Sequence, residues 1–202
     1  MKMSKIHRYD LAPVRAQRGK IRTLYTYPKT GGTALAHLCT AHVRSAQLRL
    51  ETEPGMRREV LLFSGALVLD DGSGQPRVLR DRDRMQCAGG SALAGFGLAY
   101  QMELLCTEDC RAELYLTETG EGSPALQTVD GFMVKVLYVL RGLTEAVGAD
   151  GQRAILEPGD VLTVEAEGTA ETLQIAGVDC QIAVADLWMP AERGTQAEST
   201  AC

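Results

Sequence analysis

The residues of this chain that could bind a metal ion are few. It has three histidines, His7, His37 and His42, and six cysteines. His37 and Cys39 are two positions apart, so in a β-strand both side chains would point to the same face. Imidazole and thiolate are both zinc ligands, but a catalytic site needs about three protein ligands. We therefore expect no metal and no cofactor, and we interpret the pair as a polar barrel residue and a buried thiol.

A second pair of candidate residues is Cys106 and Cys110, which are four positions apart. Across a tight hairpin they could approach each other and form a disulfide or half of a zinc site. No second cysteine pair has a matching spacing. The favoured interpretation is two free thiols near a turn, in a chain whose irregularly spaced cysteines are typical of the reducing cytosol.

Motifs for nucleophilic or nucleotide chemistry are missing from the sequence. There is no Gly-x-Ser-x-Gly elbow, and Ser64 has no histidine nearby in sequence. The glycine-rich segments do not form a Gly-x-Gly-x-x-Gly motif before a helix. We therefore predict no catalytic triad and assign no catalytic residue.

The bulk composition excludes several classes of function. The 202 residues are 45% hydrophobic and 23% charged, which is ordinary for a globular protein. The net charge of −5 argues against a nucleic-acid partner. No apolar run reaches the roughly 18 residues of a membrane span, and the N-terminus has no signal-peptide core. We expect a cytoplasmic protein with no membrane partner; a homodimer is left open.

One local charge cluster departs from that acidic average. Residues 2–22 contain seven Lys or Arg and a single acid, Asp10. Such a run is most often a solvated edge. The functional alternative is a local anion site, and the sequence leaves both interpretations open.

Turn signals divide the chain into short strands. Strands are predicted at 21–27, 35–43, 59–63, 98–106 and 112–117, with turns between them, which is typical of an all-β barrel or sandwich. The Gly- and Ala-rich residues 89–97 are predicted to be irregular, and residues 118–130 to be a linker.

An internal repeat makes the prediction of the fold more specific. Residues 59–65 and 136–142 are each a strand that ends in glycine, followed by another strand and an Asp-Gly hairpin. Residues 135–165 have the short strands and intervening turns that are typical of a cupin. They lack the His-x-His pair that a metal-binding cupin would show. We predict a bicupin with two cupin-like (double-stranded β-helix, or jelly-roll) barrels, the first at residues 1–120 and the second at residues 121–189. Residues 190–202 are predicted to be a disordered tail.

Over residues 8–188 the chain resembles the HutD/Ves family, small bacterial bicupins of which some are associated with histidine utilisation. Arg15, Gly19, Tyr27 and Pro28 fit the family's N-terminal motif. Residues 54–58, Pro-Gly-Met-Arg-Arg, fit its Pro-Gly-x-x-Arg segment. Other positions of the N-terminal motif are replaced: Val14, Ala16, Ile21 and Thr23.

The resemblance implies a ligand pocket in the first barrel. Arg15, Arg22 and Arg58 occupy or adjoin the pocket positions of the family, and a guanidinium can hold a carboxylate bidentately. The resemblance thus implies a small anionic metabolite as ligand. The rest of the predicted ligand-binding set is Tyr25, His37, Glu113 and Tyr115.

Three functions follow as hypotheses. The leading one is non-catalytic binding of an organic acid with a sensing or regulatory role. The alternative is a cupin isomerase or lyase, metal-dependent or not, that uses His37, Glu113 or Tyr115 for proton transfer. The third is an association module whose pocket has degenerated.

Overall fold

The computed structural model describes residues 1–16, 19–27, 36–120, 124–130, 133–166 and 169–188. In that part of the chain all regular elements are strands, which confirms the all-β prediction. The described residues contain no helix with the length and apolar character to cross a membrane. The strands are β1 (Lys2–Ile6), β2 (Val14–Ala16), β3 (Gly19–Tyr27), β4 (Ala36–Glu51), β5 (Met56–Asp70), β6 (Arg77–Leu79), β7 (Arg84–Cys87), β8 (Ala92–Thr107), β9 (Arg111–Thr119), β10 (Ala125–Val129), β11 (Met133–Gly148), β12 (Arg153–Leu156), β13 (Val161–Glu165) and β14 (Glu171–Trp188).

The strands form two antiparallel sheets. The first sheet has the order β2-β3-β4-β8-β5-β6, with β7 also on β5. The second has the order β1-β13-β11-β14-β10, with β12 on β11 and β9 on β14. The predicted division at residue 120 does not coincide with the division between the sheets, because β1 and β9 both pair with strands of the second one. The predicted tail at 190–202 lies outside the described residues.

Three apolar clusters follow from the alternation of side chains along the strands. In β11, Leu137 and Val139 enter a cluster built within the second sheet. Val136 and Tyr138, on the opposite face, enter a cluster to which both sheets contribute, here called the shared cluster. The first sheet has its own cluster on its other face, with Val43 and Leu62 among its members. The long strands therefore bury both of their faces.

Two stretches predicted to lack regular structure are strands. Most of residues 89–97 belong to β8, because glycine lets this strand lie close against β5: a Cβ on Gly95 would be 2.0 Å from the carbonyl oxygen of Val68. The predicted linker at 118–130 contains the end of β9 and all of β10, which pairs with residues 171–175 of β14. Local composition did not reveal these distant partners.

The internal repeat has a structural counterpart. Gly65 and Gly142 end the two related segments, and both have positive φ, 93° and 81°. Each lies next to a register shift in its long strand. A Cβ would be 2.1 Å from the Leu98 carbonyl oxygen at the first position and 2.6 Å from Cys180 Sγ at the second. Only glycine suits either position.

The close contact of β8 and β5 predicts the effect of adding one methyl group. We expect Gly95→Ala to lower the free energy of unfolding by about 1–3 kcal/mol, since the strands must separate to admit the Cβ. Gly120→Ala is the matched control, because nothing lies within 4 Å of the added atom, and it should change stability by less than about 0.5 kcal/mol. Urea denaturation measures both; equal values would contradict the packing argument.

Candidate functional site

A cavity of about 950 Å³ lies against the first sheet. It is formed by strands β2, β3, β4, β5 and β8. Four of its lining side chains are basic, and none of the described lining residues is acidic. Its lining comprises Pro13, Arg15, Ala16, Gly19, Lys20, Arg22, His42, Val43, Arg44, Ser64, Gly65, Leu98, Ala99 and Tyr100. We call it the basic cavity.

Strand register explains why these residues converge. Lys20, His42, Tyr100 and Ser64 are successive cross-strand partners, so they form one row across four strands. Arg22 lies two positions from Lys20, and therefore on the same face of the sheet. The same alternation places Arg44 beside His42. The sequence thus supplies cations at a spacing of two, and pairing assembles them into a patch.

Two of the residues that line the basic cavity, His42 and Tyr100, have aromatic rings that are in contact. The rings of His42 and Tyr100 stack at 4.0 Å between centroids with 7° between their planes. The Tyr100 hydroxyl shares a hydrogen bond with that of Tyr138, a residue of the second sheet. Burial raises the pKa of Tyr100 well above its ordinary value, and the neighbouring Tyr138 raises it further. Tyr100 is therefore a neutral phenol anchored to the opposite sheet.

The imidazole of His42 is uncharged at neutral pH and can donate or accept a hydrogen bond. Burial lowers its pKa below the ordinary value of 6.5, and the positive charges of Arg22 and Lys20 lower it further. At neutral pH the imidazole is therefore uncharged. A negative charge in the cavity would reverse the second of these effects.

Arg22 carries an unsatisfied donor. Its Nε atom is buried and has no hydrogen-bond acceptor among the described residues. A buried donor of a charged group that lacks a partner is costly. An anionic oxygen in the adjoining cavity would supply the missing acceptor.

The structure separates the residues of the predicted ligand-binding set. Arg15 and Arg22 both line the basic cavity. Tyr25 instead lies in the shared cluster, where burial raises its pKa well above the ordinary value. His37 hydrogen-bonds through Nε2 to Thr23 Oγ1 at 3.2 Å and does not line the basic cavity.

The sequence analysis missed Lys20, His42, Arg44 and Tyr100. The available signal was the basic run at 2–22, whose functional interpretation was a local anion site. Within it, Lys20 and Arg22 alternate along a strand, as cavity-lining residues must. His42 and Arg44 repeat that spacing on the next strand, but the pairing of the two strands is needed to connect them.

Arg58 lies on the other face of the first sheet and is engaged by its own chain. Its Nη1 donates to Glu103 Oε2 at 2.7 Å, and its Nη2 donates to the Glu51 carbonyl oxygen at 2.9 Å. Gln101 Nε2 donates to the other Glu103 oxygen at 2.7 Å. Glu103 is only 1% exposed. The geometry gives Arg58 a structural partner, and its role in ligand binding stays a prediction.

Tyr115 belongs to a corresponding buried network in the second sheet. Lys135 Nζ donates to Asp186 and, at 3.0 Å, to the Tyr115 hydroxyl, which donates to Gln127 Oε1 at 2.7 Å. When the two repeats are aligned in sequence with Gly65 opposite Gly142, Arg58 lies opposite Lys135. Both halves of the chain therefore place a cation at the same point of the repeat and pair it with a buried carboxylate.

Glu113 lies next to this network, since it is the cross-strand partner of Asp186 and shares a face of β9 with Tyr115. It lines a smaller cavity of about 460 Å³ beside Arg84, whose Nη1 is 3.5 Å from Glu113 Oε1. Its side chain is 54% exposed. Of the three residues considered for proton transfer, Glu113 and Tyr115 are thus neighbours on β9, whereas His37 lies on β4 of the first sheet. Among the described residues, no group of three or more His, Cys, Asp or Glu is placed to hold a metal ion.

Comparison with known proteins gives a result at the level of the fold. No protein-family model matches the sequence, and no curated protein matches it either. A conserved protein of unknown function from Pseudomonas aeruginosa PAO1 has a TM-score of 0.79 and 16% identity, covering 94% of this chain and all of that one (100%). HutD from Pseudomonas fluorescens SBW25 (formate condition) has a TM-score of 0.73 and 15% identity, covering 91% and 98%. The chain has a HutD-like cupin fold.

A third similar structure is the oxalate decarboxylase of Lactobacillus farciminis as a formate complex. Its TM-score is 0.66 at 8% identity, and the match covers 92% of this chain and 86% of that enzyme. At such identities the likeness to HutD and to the decarboxylase establishes the fold and transfers no site residue. The resemblance to HutD predicted from the sequence is therefore confirmed for the fold.

The buried Arg58–Glu103 pair predicts an asymmetric mutational response. We expect Arg58→Ala to cost about 3–5 kcal/mol of unfolding free energy, because Glu103 is left as an unpaired buried charge. Arg153→Ala is the matched control: it breaks the exposed pair with Glu145 and should cost at most about 1 kcal/mol. Guanidinium denaturation measures both.

A double variant separates lost charge pairing from lost volume. Arg58→Met with Glu103→Leu removes both charges, so it should recover most of the stability lost in Arg58→Ala. A double variant as unstable as the single one would show that the ion pair is not what the single substitution disrupts.

Proposed function

We propose that this chain is a bicupin that binds a small organic anion in the basic cavity and serves in sensing or regulation rather than in catalysis. The observation that supports this most is the cavity itself, where Arg15, Lys20, Arg22 and Arg44 meet without an acidic side chain among the described lining residues. Elsewhere among the described residues, the buried cations Arg58 and Lys135 have the carboxylate partners Glu103 and Asp186. A cationic pocket without one is suited to an anion that arrives from solution.

The arrangement favours a carboxylate. A guanidinium presents a planar fork of donors that matches the two oxygens of this group. Arg22 has the unsatisfied buried Nε and is the best-placed anchor. The more exposed Arg15, Lys20 and Arg44 raise the local positive potential and would attract the ligand.

The similar structures agree with this ligand class. HutD was described in a formate condition and the oxalate decarboxylase as a formate complex, and formate is the smallest carboxylate. The basic cavity is much larger than formate, since ligand pockets for drug-sized molecules begin near 300 Å³. We therefore propose an organic acid that is larger than formate, with further atoms attached to its carboxylate group.

The alternative is a cupin enzyme of the isomerase or lyase type. It has less support, because His37 lies in the first sheet, whereas Glu113 and Tyr115 are neighbours on β9 of the second sheet. The Tyr115 hydroxyl is also fully engaged by Lys135, Gln127 and Asp186. The proposal of binding without catalysis includes a cytoplasmic location, in which the cysteines are reduced.

A thermal-shift screen tests the proposal. Formate, urocanate, formylglutamate and related acids would be added to the full chain, and at least one should raise the melting temperature. Arg22→Gln should weaken that ligand about tenfold or more, since a hydrogen bond to a charged group contributes about 1.5–3 kcal/mol.

The control for this screen is Arg77→Gln, which removes the same charge from β6, away from the basic cavity. It should leave the affinity nearly unchanged. No stabilisation by any acid, or equal weakening in both variants, would refute the proposal.

His42 provides a second test through its pKa. The bound anion should raise the pKa of His42 from its lowered value, because a negative charge favours the imidazolium. Affinity should therefore increase as the pH falls through the interval between the free and bound pKa values. NMR titration of the imidazole signals with and without the ligand measures the shift, with His7 as the internal reference. An unchanged His42 pKa in the saturated protein would place the ligand elsewhere.

A further inference from the structure

Cys106 and Cys110 lie at the two sides of the turn between β8 and β9. The turn is closed by a backbone hydrogen bond from the Cys110 amide to the Thr107 carbonyl oxygen at 3.1 Å. Both residues are free thiols that are fully buried at the margin of the shared cluster. Sequence spacing left open whether they approach each other, and the turn brings them together.

The two sulfur atoms have different roles. The side chains of Cys110 and Cys106 interact, and this interaction is the largest influence on the pKa of both thiols. It lowers the pKa of Cys106 to about 7, against the opposing effect of burial, while the pKa of Cys110 is raised far above its ordinary value. Cys110 Sγ also lies 3.8 Å from the Arg111 carbonyl oxygen. Arg57 Nε donates a hydrogen bond to Cys106 Sγ at 3.3 Å and adds a positive charge.

We propose that Cys106 and Cys110 form a redox-active dithiol that a peroxide converts into a disulfide, with Cys106 as the attacking thiol and Cys110 as the resolving thiol. The geometry that carries this is a sulfur atom held between a guanidinium donor and a neighbouring thiol. Arrangements of this kind characterise reactive cysteines.

The chemistry balances with hydrogen peroxide as oxidant. The Cys106 thiolate attacks one peroxide oxygen and the O–O bond breaks, giving a sulfenic acid and hydroxide. The Cys110 sulfur then attacks the sulfenic sulfur and gives up its proton, the S–O bond breaks, and water leaves. Two thiols are oxidised to one disulfide, and one peroxide is reduced to two waters.

Two other described cysteines have different surroundings. Cys180 Sγ donates to the Leu143 carbonyl oxygen at 3.0 Å. Burial raises the pKa of Cys87 above its ordinary value. Oxidation should therefore be selective for the pair at the turn.

Access for a small oxidant lies at the edge of the fold. The turn residues Glu108 and Asp109 are exposed, so a local opening of this turn uncovers the dithiol without separating the sheets. Arg57 extends from Cys106 towards Glu59, to within 3.7 Å of its Oε1, and Glu59 lines the smaller cavity. Two side chains, Arg57 and Glu59, thus lie between the attacking sulfur and this cavity.

The test uses the reduced full-length chain with hydrogen peroxide under native conditions. After the free thiols are blocked, peptide mass mapping should show a Cys106–Cys110 cross-link, lighter by two hydrogens, before Cys87 or Cys180 is oxidised. The rate should fall as the pH drops through about 7, the pKa of Cys106. This profile needs no variant and so does not depend on how well a variant folds.

Three variants sharpen the result. Cys110→Ala should retain a sulfenic acid at Cys106 that reacts with dimedone, and Arg57→Met should slow the oxidation and move its pH midpoint upward. Cys180→Ala is the matched control for loss of a buried thiol and should form the cross-link at the wild-type rate. A cross-link that forms only after denaturation, or dimedone labelling that is equal at Cys180 and Cys106, would overturn the proposal.

Discussion

The shared cluster is the constraint on which the structure depends. Because side chains alternate along a strand, the long strands must satisfy two apolar environments at once. Met102 and Leu104 of β8 face the second sheet, whereas Ala99 of the same strand faces the first sheet's own cluster. The two sheets cannot separate without exposing the shared cluster, to which both of them contribute.

Charge placement follows from the same layering. Cations inside the sheets are paired, Arg58 with Glu103 and Lys135 with Asp186, because an unpaired charge has no solvation there. The basic cavity differs, because none of its described lining residues is an acid. The interior pairs therefore contribute to the integrity of each half of the chain, whereas the cavity cations are the ones that we propose bind a negatively charged ligand.

The fold is kept at identities where little else is shared. HutD and this chain have 15% identity with a TM-score of 0.73. Alternating apolar residues and glycines at forced turns are enough to specify such strands, and many sequences meet that requirement. Gly65 and Gly142 illustrate the exception, because no side chain fits either place. Residues that only line a cavity are under no such packing constraint.

The sequence by itself determined the strand-rich class, the turns and the repeat that ends at Gly65 and Gly142, since these follow from local alternation and backbone sterics. Arg15 and Arg22, which the family resemblance suggested as ligand-binding residues, both line the basic cavity, and their role in binding stays a prediction. Only the tertiary structure decided that β1 and β9 join the second sheet, that Arg58 faces inward to Glu103, and which strands flank each cation. Spacing shows which side chains share a face of a strand. It does not show which face is covered or which strand lies beside it, because both depend on partners distant in the chain.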